Sequence, residues 1–432
     1  MEQRKPESIS VFLVCRFTFH VYFPIRQSII LAAFGEKMEK NLKITNQGLD
    51  AVPGFRCLGK SIGIKKQGKD LAFLYSESLC EAAAVYTQNK VKGAPLLVTR
   101  EHLADGRAQA VVINSGNSNV ATGQKGRDDA AQMTAWVAEE LGILKQNVLV
   151  ASTGVIGKAL PMDAIQSGIK GIGLELAQHS SSADFAEAIL TTDTVKKQIR
   201  LQAPGFSIAG AAKGSGMIHP NLATMLAFIV TDAALPSSIL RKMLQKAVYD
   251  SFNMISVDLD ASTSDMVIVM ANGLAGPVDE ALFSQALNKI CLDLAKMIAR
   301  DGEGATKLLQ VDVLQAASDP DARILAKAVA DSTLFKCALF GNDPNWGRIL
   351  CAMGNTAAAF DQERLSVKIN EQIVFQSGRE IVDFDKSRIS KIMQRSKEIL
   401  ITIDLNSGSG RATAYGCDLS YEYVKINAEY TT

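Results

Sequence analysis

Thr224 is the residue in this sequence that most invites a chemical explanation, because its hydroxyl stands where a turn-rich segment meets an apolar run. The run MLAFIV begins at Met225 and is typical of a strand entering a core, while the preceding KGSGMIHP (213–220) is rich in turn formers. A threonine hydroxyl is a weak nucleophile at its own pKa and needs an adjacent base. Taken alone, Thr224 is more typical of a strand threonine whose hydroxyl is satisfied by its neighbours.

The histidines and cysteines suggest no metal site. The four histidines form neither an HxxxH nor an HxxE pattern, and the seven cysteines include no CxxC pair. An odd number of scattered cysteines is typical of cytosolic proteins, in which most of them are small buried hydrophobic residues. We therefore predict a cytoplasmic protein without a metal site.

Composition limits the classes of partner. The 432 residues include 46 Lys and Arg against 45 Asp and Glu, and 47% are hydrophobic. This balance argues against a nucleic-acid-binding protein, which needs a basic face to displace counterions. No stretch reaches the roughly 18 uncharged apolar residues that a membrane-spanning helix requires. We expect small-molecule substrates, and neither a nucleic-acid nor a membrane partner.

The first 37 residues differ in character from the rest. They are aromatic and apolar, but Arg16, Pro24 and Arg26 interrupt them. Arg16 splits the apolar stretch, and Glu2 and Glu7 lie in what should be a positively charged leader, which argues against a signal peptide. A transit peptide remains the alternative. We expect the working chain to begin near Met38 and the preceding extension to be poorly packed.

From residue 42 onward, strand-like and helical patterns alternate. Helices are predicted at 128–141, after Pro161, after Pro236, at 279–300 and at 386–399. The predicted strands are APLLVT, QAVVIN, NVLVAST, FSIAGAA, LAFIVTD, MVIVMAN, FKCALFG, LSVKIN and ILITIDL. This mixture predicts an α/β protein with layered sheets covered by helices, arranged as a helix–sheet–sheet–helix core with an additional α/β lobe.

Two glycine-rich segments lack the spacing of a nucleotide-binding loop. These are GKSIGIKKQGK (59–69) and GSGRATAYG (408–416). We interpret both of them as turns.

Six segments occur in a fixed order along the chain, and their combination is more specific than any one of them alone. They are STGVIG (152–157), TTDT (191–194), KGSGMIHPNLATML (213–226), DGEGATK (301–307), GNDPNWGRI (341–349) and YVKINAEYTT (423–432). With these segments the chain, from about Leu42 to Thr432, resembles the ornithine acetyltransferases, also called glutamate N-acetyltransferases, of the cyclic arginine pathway.

The resemblance implies self-processing between Ala223 and Thr224. It divides the chain into an extension (1–37), an α chain (38–223) and a β chain (224–432). Cleavage by an N→O acyl shift frees the α-amine of Thr224, whose pKa of about 7.7–8.0 suits proton transfer near neutrality. One residue then supplies both the nucleophile and its base.

The resemblance also implies a ping-pong acetyl transfer. N-acetylornithine acetylates Thr224 and ornithine leaves, after which glutamate takes the acetyl group. The family's oxyanion hole corresponds here to Thr153 and Gly154, which would stabilise the tetrahedral intermediate of each half-reaction. No cofactor is implied. Acetyl-CoA serves some members as a further acetyl donor, and no residue here decides whether it does so in this chain.

By motif position, six residues fall where the family contacts its substrate: Thr191, Lys213, Thr224, Glu303, Asn427 and Thr432. Lys213 is suited to a carboxylate and Glu303 to an ammonium group. We choose Thr191 over its neighbour Thr192, although the motif does not separate the two. Because Asn427 and Thr432 lie at the chain end, this assignment predicts that the last residues are tucked into the protein.

The segment VDLDASTSD (257–265) departs from the family's usual VDGDTSTND. Its carboxylates Asp258, Asp260 and Asp265 could be taken for a metal cluster. Because the family uses no metal, we interpret them as turn-capping and hydrogen-bonding groups. The departures weaken any inference about substrate preference.

Two other functions are weighed against the acetyltransferase. The first is a self-cleaving amidohydrolase or aminopeptidase with an N-terminal nucleophile, in which water instead of an amino acid resolves the acyl-enzyme. The second is a catalytically silent α/β binding protein, which would remain uncut.

The resemblance also implies an assembly of two α and two β chains.

Overall fold

Two β-sheets organise the part of the chain that is described. The computed structural model describes residues 42–45, 47–219 and 225–429. Within these ranges one sheet has nine strands and the other has seven. The described residues from Ile44 onward belong to one compact unit.

The strands are numbered in chain order. The nine-stranded sheet contains β1 (Lys43–Thr45), β2 (Phe55–Lys60), β3 (Leu71–Tyr86), β4 (Arg107–Asn117), β5 (Val148–Val155), β6 (Lys197–Ala203), β7 (Phe206–Lys213), β8 (Leu226–Ala234) and β10 (Met266–Pro277). The seven-stranded sheet contains β9 (Ile255–Ser256), β11 (Leu308–Ala316), β12 (Ser366–Ile369), β13 (Gln372–Gln376), β14 (Arg379–Glu380), β15 (Glu398–Asp404) and β16 (Gly410–Cys417).

The order of the larger sheet is β1-β6-β7-β8-β10-β3-β4-β5, with β2 also paired to β3. The smaller sheet runs β14-β13-β12-β15-β11-β16-β9. Strand β8 therefore lies inside the larger sheet, antiparallel to β7 and parallel to β10.

Twelve α-helices lie in the described ranges. They are α1 (Ala94–His102), α2 (Gly123–Leu141), α3 (Met162–Ile169), α4 (Ile172–Gln178), α5 (Ser182–Ala188), α6 (Ser237–Asp250), α7 (Glu280–Arg300), α8 (Asp319–Asp331), α9 (Thr333–Phe340), α10 (Trp346–Gly354), α11 (Lys386–Arg395) and α12 (Tyr421–Glu429). No helix in these ranges is long and apolar enough to cross a membrane.

Both faces of the larger sheet are buried, as β3 shows. Ala72 and Leu74 belong to one hydrophobic cluster, while Leu71 and Phe73 belong to another. Alternate residues of a strand point to opposite faces, so each cluster covers one face. This explains why several strands are apolar throughout instead of alternating. The smaller sheet packs its own core, in which Val311 of β11 joins Leu325 of α8.

The predicted α/β class is confirmed, and two of the predicted strands are wrong. APLLVT (94–99) lies in α1, where Pro95 occupies the first turn, a position that tolerates proline. FKCALFG (335–341) lies in α9, whose N-cap Ser332 accepts a hydrogen bond from the Phe335 N–H. Short apolar runs fit a buried helix as well as a strand, and here the helix caps decide between them.

The two glycine-rich segments have different outcomes. Most of GKSIGIKKQGK lies in the turn-rich connection between β2 and β3, as predicted. The prediction for GSGRATAYG is wrong, because from Gly410 onward it forms β16.

The helix predicted at 386–399 ends at Arg395, since β15 begins at Glu398. The predicted chain boundaries at 37/38 and 223/224 lie outside the described residues and stay predictions.

Candidate active site

One cavity of about 230 Å³ brings together predicted site residues from distant parts of the chain. Its lining includes Thr153, Gly154, Thr191, Thr192, Lys213, Glu303 and Asn427. Ala223, Thr224 and Thr432 lie outside the described residues, so their place relative to this cavity stays a prediction.

The cavity lies beside the strand that follows Thr224 in the sequence. Lys213, the last residue of β7, pairs with Leu226, the first residue of β8. Directly paired residues of antiparallel strands have Cα atoms roughly 4.5–5.5 Å apart. The side chain of Met225, the covalent neighbour of residue 224, is buried. The start of β8 therefore lies next to Lys213.

Lys213 is itself almost enclosed, with 9% of its surface exposed. Its Nζ donates a hydrogen bond to Thr191 Oγ1 over 3.2 Å. Burial lowers the pKa of Lys213, although the nearby charges of Asp193 and Asp265 oppose this effect. A buried ammonium with few partners is poised to bind an anion, because its unused N–H donors have lost their water. Thr192 also lines the cavity, but Thr191 is the threonine that contacts this lysine.

A buried ion network supports Lys213 from behind. Lys197, which is fully buried, donates to Asp193 Oδ1 over 2.7 Å and to Asp301 Oδ2 over 2.5 Å. Asp193 also accepts hydrogen bonds from the backbone N–H groups of Gly214 and Thr191. Burial alone would raise the pKa of Asp193, but the charges of Lys197 and Lys213 outweigh burial and lower it. The network therefore keeps Asp193 charged, and the Asp193 carboxylate fixes the backbone at Thr191 and at Gly214, next to the two residues of the Lys213–Thr191 contact.

Glu303 also lines the cavity and lies in the loop after α7. Its backbone N–H donates to Ser215 O over 3.0 Å, and Asn427 Nδ2 donates to its Oε2 over 2.8 Å. A Cβ on Gly216 would lie 2.3 Å from the Glu303 carboxyl carbon. Only glycine at position 216 leaves the carboxylate room to occupy this place.

Asn427 reaches the site from a surface helix. None of the residues of α12 is buried, and Asn427 itself is exposed. The prediction that the last residues are tucked into the protein stays a prediction, because residues 430–432 lie outside the described ones. Only the side-chain amide of Asn427 needs to reach the cavity, where it donates its hydrogen bond to Glu303, so the helix itself can stay exposed.

Thr153 and Gly154 lie at the end of β5. Gly154 has a φ of 126°, and a Cβ there would lie 2.4 Å from the carbonyl carbon of Gly116. Both the backbone angle and the close approach of β4 require glycine. The pairing of β4 with β5 shifts register at Gly116 and Asn117, which is typical of a bulge that redirects the chain at a site.

The sequence profile of the ArgJ family matches residues 56–432. The chain belongs to the ArgJ family. The resemblance drawn from its motifs, and with it the prediction that the chain is an enzyme, is confirmed.

The chain is also similar to curated relatives and to solved structures. The chain is 49% identical over 399 residues to the arginine biosynthesis bifunctional protein ArgJ of Symbiobacterium thermophilum, covering 89% of this chain and 98% of the relative. It is 42% identical to the ArgJ structure from Bacillus halodurans, covering 48% of this chain and 100% of that one, with a TM-score of 0.47. It is 37% identical to the ornithine acetyltransferase from Mycobacterium tuberculosis solved with ornithine, covering 42% and 100%, with a TM-score of 0.40.

The three aspartates of VDLDASTSD, where the chain departs from the usual ArgJ pattern, have different environments. Asp258 accepts hydrogen bonds from the N–H groups of Met217 and Ile218 over 2.7 and 2.8 Å, which matches its interpretation as a loop-capping group. Asp260 is exposed. Asp265 is buried, and its Oδ2 has no hydrogen-bond partner in the described part of the chain. Among the described residues no cluster of three His, Cys, Asp or Glu side chains could hold a metal.

Asp193, Lys197 and Asp301 were not predicted from the sequence as site residues. Asp193 lies within TTDT and Asp301 opens DGEGATK, so both stood in motifs that the ArgJ resemblance had already marked. Lys197 carries no such signal, because a lysine at the start of a strand with polar neighbours is usually solvated. Its role follows only from the three-dimensional packing.

Proposed function

We propose that this enzyme transfers an acetyl group from N-acetylornithine to glutamate through an acetyl ester on Thr224, after cleavage between Ala223 and Thr224. The observation that carries the proposal is the cavity, which gathers Lys213, Glu303 and the β5 end beside the first residues of β8. A nucleophile at position 224 would be joined directly to that strand.

The charges in the cavity complement an amino acid. The Lys213 ammonium is suited to the α-carboxylate that donor and acceptor share, because a buried lysine attracts an anion strongly. Glu303, held by Asn427 and fitted against Gly216, offers a carboxylate for an ammonium group. Both substrates carry a carboxylate, and both also carry an ammonium group.

The chemical steps use Thr224 and the β5 end. In this proposal the freed α-amine of Thr224 takes the proton of its own hydroxyl, and the oxygen attacks the acetyl carbon. Thr153 and Gly154 donate hydrogen bonds to the oxyanion of the tetrahedral intermediate. Loss of one such donor typically costs on the order of 10²–10³ in rate.

Three further elements belong to the same proposal. The active assembly contains two α and two β chains, and the enzyme works in the cytoplasm without a cofactor or metal. Its relatives are named bifunctional, and acetyl-CoA is proposed as a second acetyl donor for glutamate.

The test is an acetyl-trapping experiment. Purified protein is incubated with N-acetylornithine alone, and peptide mass spectrometry should find one acetyl group on Thr224 together with one equivalent of ornithine. Addition of glutamate should remove the acetyl group and yield N-acetylglutamate. Continuous release of ornithine without glutamate would contradict the transferase and indicate the hydrolase instead. A parallel incubation with acetyl-CoA and glutamate tests the second donor.

A further inference from the structure

Asp265 is a buried carboxyl group of the cavity that the proposed mechanism leaves without a task. It is 3% exposed and lines the cavity. Its Oδ2 has no hydrogen-bond partner among the described residues. A buried polar atom without a partner costs free energy, so one that faces a cavity indicates a ligand.

Backbone hydrogen bonds hold Asp265 and Met266 next to Met225, the residue that follows Thr224 in the sequence. The Thr87 N–H donates to Asp265 O over 3.0 Å, and the Met266 N–H donates to Met225 O over 3.1 Å. The Met225 N–H also favours the charged form of the Asp265 carboxyl group and so lowers its pKa, against the larger effect of burial. Met225 follows Thr224 in the sequence, so Asp265 lies beside the described segment that follows the expected nucleophile.

The transfer reaction has a proton requirement that the Thr224 amine does not meet. When the C–N bond of N-acetylornithine breaks and the C–O bond to Thr224 forms, the hydroxyl proton moves to the leaving nitrogen and yields a neutral amine. Ornithine departs as an ammonium ion and takes up one more proton. Glutamate arrives as an ammonium ion and must lose one proton before it attacks. A second proton then returns to the Thr224 oxygen as the C–O bond breaks.

We propose that Asp265 carries this extra proton, donating it from Oδ2 to the leaving amine of ornithine and accepting it from the ammonium group of glutamate. The proposal rests on the acetyl transfer proposed above. The carboxyl group is an acid in the first half-reaction and a carboxylate base in the second. It returns to its starting form after each cycle, so the protons balance.

The surroundings of Asp265 suit a group that changes its protonation state. Burial raises its pKa well above the ordinary value, against the opposing effects of the Ser262 hydroxyl, the Lys213 charge and the Met225 N–H. A catalytic acid works best when its pKa is near the working pH. The other ionisable groups lining the cavity are Asp258 and Asp260 from the same loop, Lys213 from the end of β7, Glu303 after α7 and Tyr423 from α12.

The test measures the two half-reactions separately as a function of pH. In the unaltered enzyme, acetylation by N-acetylornithine should slow as pH rises, because it needs the acid, and deacetylation by glutamate should accelerate, because it needs the carboxylate. In D265N both rates should fall by roughly 10²–10³-fold, and both pH dependences should disappear. Formate should restore activity to Asp265→Ala in a concentration-dependent way.

The matched control is Asp232→Asn. Asp232 is also a buried aspartate whose pKa is raised by burial, but it lies in β8 away from the cavity lining and accepts a hydrogen bond from the Ser207 N–H. Both half-reactions should keep their rates in this variant. Unaltered rates in D265N would overturn the proposal, and so would slow rates with unchanged pH dependences and no rescue by formate.

If the Asp265 variants do not fold, an infrared measurement on the unaltered enzyme still tests the proposal. The carbonyl band of a protonated carboxyl group should be present in the free enzyme and lost once ornithine has left the acetylated form. No change in that band would overturn the proton-carrier role. Failure of the acetyl transfer itself is distinguishable, since the unaltered enzyme would then acquire no acetyl group on Thr224 at all.

Discussion

Lys213 pairs with Leu226 across the β7–β8 ladder, so the cavity lysine lies beside the strand that begins two residues after Thr224. This register places the proposed carboxylate-binding group beside the strand that follows the proposed nucleophile in the sequence. Sites built on strands hold their geometry more closely than sites built on loops. The pairing is therefore the structural basis for the proposed division of labour between the two residues.

Substrate binding should depend on the charge of Lys213. Burial lowers the pKa of this lysine, so its ammonium should lose its proton at a lower pH than the ordinary value of about 10.4. The KM for N-acetylornithine should rise as pH increases through that pKa. In Lys213→Arg the charge persists and this rise should vanish, whereas Lys213→Met should have a high KM at every pH. A KM that ignores pH in the unaltered enzyme would contradict carboxylate binding by Lys213.

Gly216→Ala should displace Glu303, because the new Cβ would lie 2.3 Å from its carboxyl carbon. Losing one charge-assisted hydrogen bond is worth about 1.5 kcal/mol or more, so KM should rise about tenfold or more. The control is Gly354→Ala at the end of α10, where nothing lies within 4 Å of the added methyl group. Steady-state kinetics on both variants check this prediction. Equal KM values would show that Glu303 does not bind the substrate.

Gly154→Ala should destabilise the protein more than Gly157→Ala. Both glycines have positive φ values, 126° and 81°, and each substitution carries a backbone penalty of roughly 1–2 kcal/mol. Only Gly154 also faces backbone at 2.4 Å, while Gly157 has open space. Overpacking adds about 1–3 kcal/mol at Gly154. Urea denaturation of the two variants measures the difference, and equal losses would contradict the close approach of β4 and β5.

Lys197→Met should strongly reduce stability, because it leaves the carboxylates of Asp193 and Asp301 buried without their cation. Breaking a buried ion pair on one side typically costs about 3–5 kcal/mol. The matched control is Lys246→Met, since Lys246 pairs with Asp250 on the surface of α6 and should cost less than about 1 kcal/mol. Differential scanning calorimetry compares the two. A loss as small as that of the control would show that the network is dispensable.

The sequence predicted the α/β class and most of the central strands, because Val- and Ile-rich runs bounded by turn residues are characteristic. It failed at APLLVT and FKCALFG, where short apolar runs carry no period that separates helix from strand. The helices there depend on Pro95 in a first turn and on the cap at Ser332. Such local signals are weak until the neighbouring elements are known.

The residues of the candidate site could be predicted from the sequence motifs, but their burial and their hydrogen-bond partners could not. Thr153, Lys213 and Glu303 were selected because their segments resemble a family, and the cavity then brings them together. Nothing in the sequence distinguishes the buried Lys197 from a surface lysine, or Asp265 from the loop-capping Asp258. Burial and missing partners are properties of the packed structure, so these two residues emerged only from it.

The intact mass of the purified protein tests self-cleavage at Thr224 most directly. We expect two polypeptides, the second of which begins at Thr224, and a single full-length chain in Thr224→Ala. The second chain should carry the acetyl group after incubation with N-acetylornithine. An uncut chain that transfers acetyl groups from N-acetylornithine to glutamate at full rate would contradict the claim that cleavage creates the nucleophile and its base.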